Sequence, residues 1–151
     1  MIATRPVLRL SRLTDYAIVI LACLARQERH VAAARALAEQ TGVPRPTTAR
    51  VLKLLSGGGL LRSTRGRQGG YGLVRPPAEI TLNDVVEAVE GPVGLTECSR
   101  EDGSCDLRDG CRVGGHWPLI SATLRGALGR ISLEQLAAPP TEAAQRHARS
   151  P

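Results

Sequence analysis

VPRPTTARVLKLLSGGGLLRSTRGRQGGYGLVRPP, residues 43–77, decides the fold. Pro44 and Pro46 suit a turn and a first helical position. Val51, Leu52, Leu54 and Leu55 supply an inward face at helical spacing, which leaves Arg45, Thr47, Thr48, Arg50 and Lys53 for the outside. The remainder has two apolar ends, LL at 60–61 and YGLV at 71–74, around a loop rich in Arg and Gly. That pattern predicts a β-hairpin, with Tyr71 as a packing anchor.

Upstream, VAAARALAEQT (31–41) reads as a helix that Gly42 stops, because glycine fits the left-handed residue at a helix end. A short helix, a tight turn and a second helix with polar residues near its start make a helix-turn-helix. A basic hairpin directly after it makes a winged helix. Residues 11–27 predict the helix before this pair, with Thr14 as N-cap and Leu13, Ala17, Ile20, Leu21 and Leu24 at helical spacing. Cys23, within that run, is expected as a small core residue.

Downstream of Pro76 and Pro77, TLNDVVEAVEG (81–91) is a short amphipathic helix, with Thr81 and Asp84 spaced as a capping box. Residues 92–115 carry Gly, Cys and Asp with neither helical nor strand period. Periodicity returns from Pro118 to Ile131, where Gly126 and Gly129 weaken the helix in isolation. Such a helix needs a packing partner. Ser132 with Gln135 can cap one last turn, and the tail from 138 is too poor in apolar residues to fold. The predicted class is mainly α: a winged helix-turn-helix DNA-binding region over 8–77, a short helix over 78–91, a cysteine loop over 92–115, a helix with its final turn over 116–137 that packs on its own domain or, as a dimerisation helix, on another chain, and a disordered tail over 138–151.

Charge divides the 151 residues. Residues 1–76 hold 13 Arg or Lys against Asp15, Glu28 and Glu39, a net of +10, whereas 77–151 carry a net of −4. A basic first half predicts a polyanion partner. With no Phe and only Trp117, Tyr16 and Tyr71 as aromatics, stacking along single-stranded nucleic acid has little to work with. No apolar run approaches the roughly 20 residues a bilayer needs. The longest, YAIVILACLA (16–25), reads as a buried helix. The N-terminus lacks the layout of a signal peptide. The expected location is the cytoplasm, where cysteines are not first read as disulfides. The three histidines, at 30, 116 and 147, sit in no catalytic motif, so an enzyme is not expected.

Cys98, Cys105 and Cys111 stand in C-x6-C-x5-C, with Gly103 and Gly110 giving backbone freedom for the thiolates to converge. Thiolates are soft ligands that suit iron–sulfur clusters, zinc or copper(I). Structural zinc sites more often carry a closely spaced cysteine pair, so the wide spacing favours a cluster. A colourless zinc site, a disulfide redox switch and no role at all are the alternatives.

Three runs resemble one family: LRLSRLTDYA (8–17), the stretch from 43 to 73, and LNDVVEAVEGPVGLTEC (82–98) with the two later cysteines. It is the winged-helix transcriptional regulators that include the iron–sulfur assembly regulator IscR and the nitric oxide sensor NsrR. SRLTDYA and GRISLEQLA (129–137) look most like the subgroup regulating the SUF iron–sulfur assembly operon. The resemblance covers roughly residues 8–137. It implies a homodimeric DNA-binding repressor or activator whose cluster, 2Fe–2S or 4Fe–4S, sets DNA affinity; the reading adopted is a repressor of iron–sulfur assembly genes. Nitric oxide or redox sensing, and a zinc-stabilised DNA-binding protein without sensing role, are the alternatives.

On this reading Arg45, Thr47, Thr48 and Arg50 read bases in the major groove. Arg65 and Arg67 reach the minor groove or its phosphates. Lys53, Arg9, Arg12 and Arg62 are backbone contacts. Cys98, Cys105 and Cys111 hold the cluster. The assembly regulator's histidine three residues after the third cysteine is here Gly114. The fourth ligand is then Asp15 from the other subunit, as the resemblance to the nitric oxide sensor branch implies, or His116, Cys23, or a water or small thiol.

Overall fold

The apolar run of the first helix becomes the centre of the core. The computed structural model describes residues 9–96 and 111–139. Helix α1 spans Arg12–Ala25 and buries Ala17, Ile20, Leu21 and Leu24. Around it pack Leu37 of α2 (Ala34–Thr41) and Val51, Leu52 and Leu55 of α3 (Arg45–Gly57). Leu61 of β2 (Leu61–Thr64) and Leu73 of β3 (Gly70–Leu73) close one side. Gly42 ends α2 with φ +74°, the left-handed residue expected there.

The wing has a third strand that the sequence reading assigned to a helix. Val31–Ala32 form β1, which pairs antiparallel with β3, Val31 opposite Gly72 and Ala32 opposite Tyr71. The sheet order is β1-β3-β2. Close pairing is possible because Gly70 and Gly72 present no side chain: a Cβ on Gly70 would lie 2.4 Å from the Ala32 carbonyl oxygen. Tyr71 is partly buried and packs against the core. The hydrogen bonds of the β3 edge therefore decide residues 31–32 against their local helix preference.

α1 begins within the expected 11–27 span, but its cap is not the expected one. Ser11, not Thr14, is its N-cap, and the Ser11 hydroxyl accepts from the Thr14 N–H at 3.2 Å. Thr14 is instead buried, and its hydroxyl donates to Oε1 of Glu90. The same carboxylate oxygen accepts from the Ser11 N–H at 2.9 Å. Glu90 is the last residue of α4 (Leu82–Glu90), a helix started by the expected Thr81–Asp84 capping box.

The Thr14 hydroxyl, and after it the Ser11 groups, hold the Glu90 carboxyl below its ordinary 4.5 against the opposing effect of partial burial. A depressed carboxyl pKa contributes stability that is complete above the unfolded value and lost as pH falls through the folded one. Glu90→Gln is therefore expected to lower stability by about 0.5–1 kcal/mol at neutral pH, the low end for a hydrogen bond near solvent. Urea unfolding of wild type and variant should converge as the pH falls through the lowered carboxyl value of the folded protein. A gap that persists there would contradict this assignment.

After α4 the chain leaves the core and returns. α5 (Trp117–Gly129) packs on α4, and the Arg125 guanidinium donates to the Val93 carbonyl at 3.1 Å. α6 (Leu133–Ala137), capped by Ser132 and Gln135 as expected, packs against α1 and buries Leu133 completely. Two main-chain bonds clasp the ends of this excursion, Leu82 N–H to Ile131 O at 2.8 Å and Leu133 N–H to Ile80 O at 2.7 Å. No helix among the described residues is long and apolar enough to cross a membrane.

Candidate nucleic-acid interface and cysteine segment

α2, the turn at 42–44 and α3 form the helix-turn-helix, and its front presents Arg45, Pro46, Ala49 and Arg50 to solvent. Thr47 is half-buried and Lys53 is exposed. Thr48 does not face outward as the sequence reading had it. It is 1% exposed, and its hydroxyl donates to the Val43 carbonyl at 3.2 Å. The cause is helical geometry: Thr48 lies three, four and seven residues before the buried Val51, Leu52 and Leu55, on their face. Ala49, between Thr48 and Arg50, is the exposed helix-front residue passed over.

Arg65 and Arg67 are exposed in the turn between β2 and β3, and Arg9, Arg12 and Arg62 are exposed as well. A further cation joins the wing. Arg29, after α1, donates to Gln68 Oε1 at 3.2 Å, tying the turn before β1 to the wing loop. Nothing local in the sequence marks Arg29, because only the β1–β3 pairing brings it there.

Glu39 is the one acid between residues 30 and 78. Its Oε1 accepts from Arg35 Nε at 2.8 Å, one helical turn back, and from Arg45 Nη2 at 3.1 Å, across the turn. Arg35, chiefly by its hydrogen bond, and then Arg45 hold the Glu39 carboxyl below the usual carboxylate range.

Of the three loop cysteines, Cys98 and Cys105 lie outside the described residues, and Cys111 is half-buried. Among the described residues no three His, Cys, Asp or Glu side chains gather to hold a metal. Beside Cys111, the Gly114 N–H donates to the Cys111 carbonyl at 3.4 Å. A Cβ at 114 would lie 3.7 Å from the Cys111 Sγ. A side chain at this position would border the sulfur, and glycine leaves that flank open. His116 is exposed at the end of a 3-10 turn, Gly114–His116. Asp15 is exposed in the first turn of α1. Cys23 is half-buried, with its thiol donating to Gln40 Oε1 at 3.2 Å. The donor set, three thiols within 14 residues, has the soft chemistry that an iron–sulfur cluster requires.

A helix-turn-helix, a basic wing and a trailing cysteine segment are now in place, and one comparison decides among the proteins that combine them. The family model Rrf2, described as an iron-dependent transcriptional regulator, matches residues 10–139. The chain belongs to the Rrf2 family. It is 32% identical over 110 residues to the HTH-type transcriptional regulator NsrR of Shouchella clausii, covering 72% of this chain and 74% of that protein. It is 33% identical over 100 residues to the HTH-type transcriptional regulator IscR of Photorhabdus laumondii, covering 66% of this chain and 60% of that one. CymR, the global cysteine regulator of B. subtilis, shares the fold with a TM-score of 0.65 at 24% identity, over 86% of this chain and 96% of that one. This Rrf2 chain is accordingly a winged-helix transcriptional regulator, not an enzyme.

Proposed function

We propose that this Rrf2 regulator binds duplex DNA as a cytoplasmic homodimer and couples its affinity to an iron–sulfur cluster held by Cys98, Cys105 and Cys111, repressing iron–sulfur assembly genes in the cluster-loaded state. The observation that carries the reading is mechanical. The segment leading to the cysteines leaves α4 at Glu90, which caps α1, and is tied to α5 through Arg125 and Val93. Gathering the three thiolates therefore acts on α1 and α5 together. A bound cluster would supply a chemical state that iron supply, oxidants or nitric oxide can change, and the family's iron-dependent description supports iron over zinc.

Several residues support the remaining parts. α5 leaves Leu119 at 68% and Ile120 at 41% exposed, an apolar face suited to a second copy of α5. We assign base reading to Arg45 and Arg50, both exposed at the front of α3, with Thr47 at the margin, and contacts to the adjacent groove to the exposed Arg65 and Arg67. The open flank at Gly114 directs the fourth ligand elsewhere. At the α1 N-terminus, Ser11 and Glu90 do the capping. That leaves Asp15 for another task, and we assign it the fourth position from the partner subunit in preference to His116.

The test is anaerobic purification followed by DNA binding. Brown protein that loses colour in Cys105→Ala is expected, with operator affinity at least tenfold higher in the loaded than in the cluster-free form. Colourless, zinc-containing protein would overturn the cluster reading, and equal affinities would make the cysteines structural. Asp15→Ala is expected to shorten the life of the colour in air, with His116→Ala neutral. The reverse result would move the ligand to His116.

A further inference from the structure

We propose that Glu39 is a positioning residue for DNA recognition: its carboxylate fixes the Arg45 guanidinium at the front of α3, so that Arg45 reads a base instead of gripping any phosphate. This rests on the assignment of Arg45 as a base reader. Residues 30–78 hold eight basic residues and this single acid, and the acid is paired to the first residue of the recognition helix. A carboxylate near a DNA backbone repels phosphate, so its presence there weakens binding to every sequence alike.

The guanidinium has five N–H donors in a rigid plane. Glu39 takes one of them, on Nη2, and is itself held by Arg35 from the preceding turn. An arginine with one N–H committed has fewer orientations, and the donors that remain can meet the paired acceptors of a guanine edge. Without Glu39 the side chain is free to swing to the nearest phosphate, a contact that carries no sequence information. The arrangement gives up general affinity and gains discrimination, a form of specificity built on a repulsive element.

The experiment uses the full-length protein and two duplexes: one selected from a random pool by the wild-type protein, and its scrambled counterpart. Glu39→Gln is expected to bind the scrambled duplex several-fold more tightly and to lower the ratio of the two affinities about tenfold. Arg45→Ala should lower that ratio by a similar factor, and the double variant by no more than Arg45→Ala alone, since Glu39 acts through Arg45. A fold defect would weaken both duplexes together, so opposite changes separate positioning from structure. If Arg45→Ala lowers the ratio while Glu39→Gln leaves it unchanged, or if the two effects add in full, the proposal is wrong. If Arg45→Ala leaves the ratio unchanged, the base-reading assignment fails first and the proposal with it.

Discussion

Leu133→Ala is expected to destabilise the DNA-binding core by about 2–5 kcal/mol, the range for truncating a fully buried leucine. Leu133 is 0% exposed and belongs to the same cluster as Ile20, Leu52 and Ile80. It sits on a helix of five residues, too short to form without tertiary support. Against a total stability of about 5–15 kcal/mol, the loss is large for a residue so far along the chain from the helix-turn-helix. Glu134→Ala, one residue on and exposed, should change stability by less than about 0.5 kcal/mol. Urea unfolding followed by far-UV circular dichroism distinguishes the two. A Leu133→Ala cost below about 1 kcal/mol would mean that α6 lies on the core without being part of it.

The second large effect is at the wing. Gly70 has φ +150°, and an added Cβ would lie 2.4 Å from the Ala32 oxygen and 2.6 Å from its carbonyl carbon. These are backbone atoms and cannot rotate away. Gly70→Val is expected to break the β1–β3 pairing, at a cost on the order of 2–4 kcal/mol from strain and overpacking. Because β1 and the Arg29–Gln68 contact hold the wing against the domain, DNA affinity should fall even at temperatures where the variant stays folded. Binding titrations below the unfolding transition check this. A folded Gly70→Val protein with wild-type affinity would separate the wing from DNA recognition.

Most of the reader was legible in the sequence because its signals are local. Gly42, the capping box at Thr81 and Asp84, the Ser132–Gln135 cap and the two apolar ends of the hairpin each act within a few residues. Thr48 was legible too, by its spacing from Val51 and Leu52, but its polar side chain outweighed that spacing. The structure shows the hydroxyl satisfied inside by Val43. The N-cap of α1 was ambiguous because Ser11 and Thr14 stand three residues apart and both carry hydroxyls. Glu90 reaching back 79 residues to Ser11 settles the matter, and no local pattern announces such a contact. The same holds for β1, which exists only because β3 has an edge to offer. The Glu39–Arg45 pair lies between the two: its residues are close in sequence, yet only the turn geometry makes them meet. The cysteine spacing was plain, but Cys98 and Cys105 lie outside the described residues.

The clasp between Ile80–Leu82 and Ile131–Leu133 makes the whole stretch from α4 to α5 a loop with a closed neck. Chain entropy is lost when distant segments are brought together, and that loss grows only slowly with the length between them. Here the core bears it at the neck. The closure is thus complete before any ligand arrives, and a change at the cysteines bears on α1 and α5 without reopening the neck. A stretch closed off in this way can also lengthen, shorten or change its chemistry over generations while the reader beneath it stays the same. One DNA-binding scaffold could in this way acquire different senses.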